Sequence, residues 1–74
     1  MNGSQGAIFF YLRSEFRVSP DRWFSVREVA GVVDLSINRT RRYLTLLVLS
    51  GCLDTKIVGF HNEYRYCGGR DEVI

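Results

Sequence analysis

Three residues, Asp34-Leu35-Ser36, separate two segments that each carry a helix start signal, and so short a join leaves two helices little choice of relative angle. The first signal is Ser25-Val26-Arg27-Glu28. Its S-x-x-E spacing lets a serine oxygen and a glutamate carboxylate each satisfy an orphan backbone amide of the other. This box opens a short helix ending near Val33, with Val29, Ala30 and Val33 inward and Arg27, Glu28 and Gly31 outward. The second signal is Ser36, which caps a helix running through Ser50 and closed by Gly51. Asp34 sits in the turn, where its short side chain tolerates left-handed backbone better than most residues.

The flanking segments supply the rest of a small core. Ile8, Phe9, Leu12 and Phe16 recur at the spacing of one helix face over residues 6–17, with Ser4 as the expected cap. Phe10 and Tyr11 lie off that stripe and are expected to be half-covered by a later segment or by a second subunit. Val18 to Arg22 breaks the helix through Pro20, and Trp23-Phe24 forms a short extended piece that belongs mainly to the core. Beyond Gly51 the apolar period changes to two, so residues 53–67 read as a β hairpin turning at Gly59-Phe60-His61-Asn62. A chain of 74 residues builds one core, which gives a single domain over residues 1–67 and a loose tail over 68–74. The fold class is α+β: three helices followed by a two-stranded hairpin, with a short extra strand at Trp23-Phe24.

A formal charge of +2 hides an uneven distribution. Residues 1–34 hold four cations and four anions, whereas residues 35–53 hold Arg39, Arg41 and Arg42 and no anion. The acidic pair Asp71 and Glu72 conceals this surplus in the total. The third helix therefore starts polar and cationic, from Ile37 to Arg42, and ends apolar, from Tyr43 to Leu49. The expected geometry has its C-terminal half in the core and its N-terminal half projecting. Cations are slightly unfavourable at a helix N-terminus, so three of them there point to an anionic partner rather than to helix stability.

Two helices in this order form a helix-turn-helix candidate, whose second helix enters the DNA major groove by its N-terminal residues. There arginine bridges guanine O6 and N7, and asparagine pairs with adenine N6 and N7. The chain resembles the winged helix-turn-helix bacterial transcription regulators over about Ile8 to Cys67. The resemblance is carried by Val29, Ala30, Val33 and Leu35 and by Leu44-x-x-Leu47-x-x-x-Gly51-x-Leu53. Asp34 stands where that family usually has glycine, and Thr40 and Tyr43 where it usually has aliphatic residues. Residues 35–47 look most like the small regulators of fimbrial operons, and Trp23-Phe24-Ser25-x-Arg27-Glu28-Val29-Ala30 is similar to the activators of the carnitine operon and of enterocyte effacement genes. The hairpin would then be the wing.

Carried over by position, the resemblance puts Ser36, Asn38, Arg39, Arg41 and Arg42 at double-stranded DNA. Asn38, Arg39 and Arg42 are assigned to bases and Ser36 and Arg41 to phosphates, with the exchange of Arg41 and Arg42 as the competing assignment. Lys56, His61 and Arg65 are candidates for flanking phosphates. The resemblance also implies a homodimer or a larger co-regulator of the leucine-responsive type, because one recognition helix reads only a half-site.

Other chemistries find little support. Cys52, His61 and Cys67 match no zinc-ligand spacing and lack a fourth ligand, and no cofactor motif is present. Two cysteines in a cytoplasmic protein are expected to stay reduced, although Cys52 and Cys67 fall opposite one another in the hairpin, where a redox-sensitive disulfide is the competing reading. A lone histidine with no nucleophile and base placed together excludes an assembled catalytic site, so no enzyme is expected. The longest apolar run has six residues, too short to cross a membrane. The alternative function is a winged-helix module that holds a protein through Phe10, Tyr11, Trp23, Phe24 and Phe60.

Overall fold

The computed structural model describes residues 3–67. The expected loose tail, including Asp71 and Glu72, lies outside the described residues. The order of elements is α1 (Gly3–Val18), β1 (Phe24–Ser25), α2 (Val26–Val33), α3 (Ile37–Leu49), β2 (Leu53–Val58) and β3 (His61–Tyr66). The three strands form one antiparallel sheet in the order β1-β3-β2. This is the winged-helix arrangement: a three-helix body with the β2–β3 hairpin as its wing. No helix among the described residues is long and apolar enough to cross a membrane.

The helix boundaries follow from local chemistry. Ser25 Oγ accepts from the Glu28 amide at 3.2 Å, and Glu28 Oε1 accepts from the Ser25 amide at 3.1 Å, which completes the capping box expected at α2. Asp34 closes α2 in the left-handed region, at φ 56° and ψ 49°, and its amide and that of Leu35 both donate to the Ala30 carbonyl. Ser36 Oγ accepts from the Arg39 amide at 3.2 Å and starts α3. At the far end Gly51, at φ 86°, lets the Gly51 and Cys52 amides fold back onto the Val48 and Leu47 carbonyls. The first helix begins earlier than expected, so Ser4 lies within α1 instead of capping it. Ser4, Gln5 and Gly6 are half-buried there, and packing extends the helix past a glycine that propensity alone disfavours.

The core draws on every layer. Ile8 and Leu12 of α1, Val29 of α2, Leu44 and Leu47 of α3, and Phe24, Leu53, Tyr64 and Tyr66 of the sheet form one cluster. Phe9 and Phe16 meet Tyr66 edge-on at 5.6 and 5.5 Å, and Tyr11 meets Phe24 at 5.5 Å. Tyr11 is thus covered within the chain, whereas Phe10 is 64% exposed. Phe24 is core, but Trp23 is only half-buried.

The third helix departs from its expected division into a projecting and a buried half. Its buried residues are Thr40, Leu44 and Leu47, a line at three-to-four spacing, while Leu46 and Leu49 near its C-terminus are exposed. The division therefore runs around the helix more than along it. A four-residue step from Leu44 back along the same face fixes Thr40 as a core position despite its hydroxyl, which has no hydrogen-bond partner among the described residues. The hairpin also turns more tightly than expected: Val58 pairs with His61, so only Gly59 and Phe60 form the loop, and His61 and Asn62 belong to β3. A glycine at φ 63° in the first loop position meets the requirement of a two-residue connection that matches strand twist.

Thr40→Val removes a buried hydroxyl that lacks a partner and keeps the shape of the side chain. It is expected to raise stability by about 1 kcal/mol in urea unfolding. Leu44→Ala, on the same line, is expected to lower it by about 2–5 kcal/mol.

Candidate nucleic-acid interface

The orientation of α3 is set by its buried line. Taking Thr40, Leu44 and Leu47 as inward, and about 100° per residue, Asn38 and Arg42 lie on the outward side, with Arg41 on one flank and Arg39 on the other. Ser36, Asn38, Arg39, Arg41 and Arg42 are all exposed. Arg41 Nη1 donates to Asn38 Oδ1 at 3.2 Å, one turn apart, which links the outward side to the flank that faces the wing. The guanidinium groups of Arg39 and Arg42 have no hydrogen bond or ion pair among the described residues. Ser36 Oγ is occupied as an acceptor by the cap, which leaves its O–H free to donate outward.

A cleft of about 410 Å³ separates α3 from the wing. Its walls include Arg27 at the start of α2, Ile37 and Arg41 on α3, and Phe60, His61 and Asn62 on the wing; among the described residues no acidic side chain lines it. Of the three wing residues expected at phosphates, His61 is in this cleft and Lys56 and Arg65 are not among its lining residues. Both stand over the ring of Trp23, with Lys56 Nζ at 4.4 Å and Arg65 Cζ at 4.5 Å from its centroid. Arg65 also donates to the Pro20 carbonyl at 3.2 Å and pairs with Asp54 at 3.6 Å, and Lys56 stands 4.0 Å from Glu63. These contacts place the two cations against the loop that precedes β1, where they tie the wing to the body.

Arg27 and Asn62 also line the cleft, although the sequence pattern assigns neither a contact; Arg27 is exposed in the first turn of α2, as its spacing predicts. For Asn62 the obscuring signal was the turn-like composition Gly59-Phe60-His61-Asn62, which hides a strand residue. At the base of the wing, the Cys67 amide donates to the Cys52 carbonyl at 3.3 Å, so the two cysteines do face one another across the strands. Both thiols are free; Cys67 Sγ approaches the Gly51 carbonyl and Ser50 Oγ approaches Cys52 Sγ.

No family model matches this chain, and no curated protein matches it. Its fold is similar to that of a solved chain from structural work on the DNA recognition and protein interaction domains of HOP2 and on homologous DNA pairing. The two share 24% sequence identity at a TM-score of 0.73, over 86% of this chain and 98% of that one. At this identity the similarity is one of fold.

The paired and unpaired cations differ in what their removal does. Arg65→Ala, which loses the Trp23 stack and the Pro20 hydrogen bond, is expected to cost about 1–2 kcal/mol in thermal or urea unfolding. Arg42→Ala is expected to stay within about 0.5 kcal/mol of the parent in the same measurement.

Proposed function

We propose that this protein is a sequence-specific DNA-binding regulator that lays the N-terminal half of α3 in the major groove. The observation that carries the reading is the exposed group Asn38, Arg39, Arg41 and Arg42 on the front and flanks of a helix without an anion, beside a cleft that no acidic residue lines among those described. Asn38 and Arg42 occupy the outward side and contact base edges, joined by Arg39 or Arg41 as the helix rolls toward one flank. Ser36, Arg27 and His61 contact phosphate at the margins and fix the register. Lys56 and Arg65 act as struts for the wing in preference to phosphate ligands, because their contacts are already made.

The likeness of α3 to the small fimbrial-operon regulators supports a finer reading: a cytoplasmic bacterial transcription regulator, without enzymatic activity, acting as a homodimer or beside a larger DNA-organising protein. The fold it shares with a HOP2 chain from work on DNA recognition and protein interaction agrees with the coarser part of this reading. A protein-binding module is the second reading, favoured by the exposed Phe10, Leu46 and Leu49.

The two readings separate on salt. DNA binding through these arginines gives an affinity that falls steeply with ionic strength, because each neutralised phosphate releases counterions. The triple variant Arg39→Ala, Arg41→Ala, Arg42→Ala is expected to lose duplex binding in a low-salt mobility-shift assay while its circular dichroism is unchanged. A wild type that shifts no duplex from a random-sequence pool, or a triple variant that binds as well as the parent, overturns the reading.

A further inference from the structure

The hairpin tip carries an aromatic ring with nothing to pack on. Phe60 is 101% exposed and makes no ring contact among the described residues, whereas Tyr64 and Tyr66 on the adjoining strand β3 are buried. Neighbouring Ile57 and Val58 are exposed too, at 77% and 47%, so the last turn of the wing is an apolar wedge. It is also stiffly mounted. Six residue pairs join β2 to β3, Thr55 Oγ1 adds a hydrogen bond to the Glu63 carbonyl at 3.0 Å, and the loop is only Gly59-Phe60. A short loop on a paired ladder holds the ring in water with little freedom to fold back.

The surroundings of the ring specify what would cover it. Phe60 lines the same cleft as Arg27 and Arg41, which make its opposite wall cationic, and no acidic residue lines it among the described residues. An occupant must therefore be anionic on one side and present a flat apolar face on the other, which describes a nucleotide with its phosphate and base. A wing cation would be the ordinary choice for the phosphate beside a recognition helix, but Lys56 and Arg65 are held at Trp23. The tip offers stacking in place of charge.

Building on the DNA-binding reading, we propose that Phe60 is a base-stacking site: when α3 occupies the major groove, the ring enters the duplex beside it and opens one base step. Flexible pyrimidine–purine steps are the preferred partners, since they unstack most cheaply. The duplex then bends around the wing, and positions that no side chain hydrogen-bonds contribute to specificity.

The sequence contains a single tryptophan, Trp23, so the double variant Trp23→Phe, Phe60→Trp carries its only indole at the tip. Titrated with a random-sequence duplex pool at low salt, its emission is expected to fall several-fold in step with the mobility shift, and acrylamide is expected to quench it less once bound. Emission and acrylamide access that stay constant while the shift saturates overturn the stacking site and leave DNA binding standing. Phe60→Ala in the parent background is an independent check: affinity is expected to fall about tenfold. Its salt slope is expected to match the parent, because no charge has changed. Equal affinity for Phe60→Ala and the parent overturns the proposal, and a parent protein that shifts no duplex overturns it together with the function it rests on.

Discussion

Ser25 joins the two halves of this molecule. It is the last residue of β1, where it pairs with Glu63 of the wing, and it is the N-cap of α2, where it exchanges hydrogen bonds with Glu28. One residue thus fixes the angle between the sheet and α2, the helix that precedes α3. Glu28 extends the junction through Arg22, which it meets at 2.9 Å and which also pairs with Glu15 of α1 at 3.4 Å and covers the ring of Phe24. Exposed ion pairs of this kind contribute little individually. Their value here is geometric, since α1, β1, α2 and β3 all meet within a few residues. The left-handed Asp34 then transmits the orientation of α2 to α3.

Much of this arrangement is legible in the sequence because it depends on local chemistry. A capping box, a tolerant turn residue, a serine cap and a closing glycine each leave a mark within four residues of where they act. What escapes is decided by contacts between distant segments. Whether Trp23 is core or surface depends on Lys56 and Arg65, more than thirty residues away. The fate of Thr40 depends on the inward line through Leu44 and Leu47, which is visible once the helix is known to be packed on one side. The apolar run Tyr43 to Leu49 suggests a buried half-helix, but only one stripe of it faces the core.

The candidate site shows the same division. The arginines of α3 are evident as residues, yet their roles separate only when the inward line gives the helix a front and two flanks. The wing cations could not be separated from DNA ligands by composition, because a strut and a phosphate contact use the same residue types. The geometry shows what each already touches: the Trp23 ring for both, Glu63 for Lys56 and Asp54 for Arg65. Arg22, Lys56 and Arg65 are engaged with carboxylates and rings, whereas Arg39 and Arg42 on α3 have no such contact among the described residues.

The exposed Leu49 shares the outward side of α3 with Asn38 and Arg42. On the proposed DNA-binding reading, a helix whose front is polar for only its first two turns meets the duplex by its end, and residues 36–42 span about 10 Å, the length of about three base pairs. Three fully read base pairs carry about 6 bits of information, against the 20 or more needed to single out one address among about a million competing sites. In that sense the helix is a short word rather than an address. On the proposed reading, a protein of this design selects its place in a genome by repetition, by a companion, or by the mechanical properties of the sequence around the word.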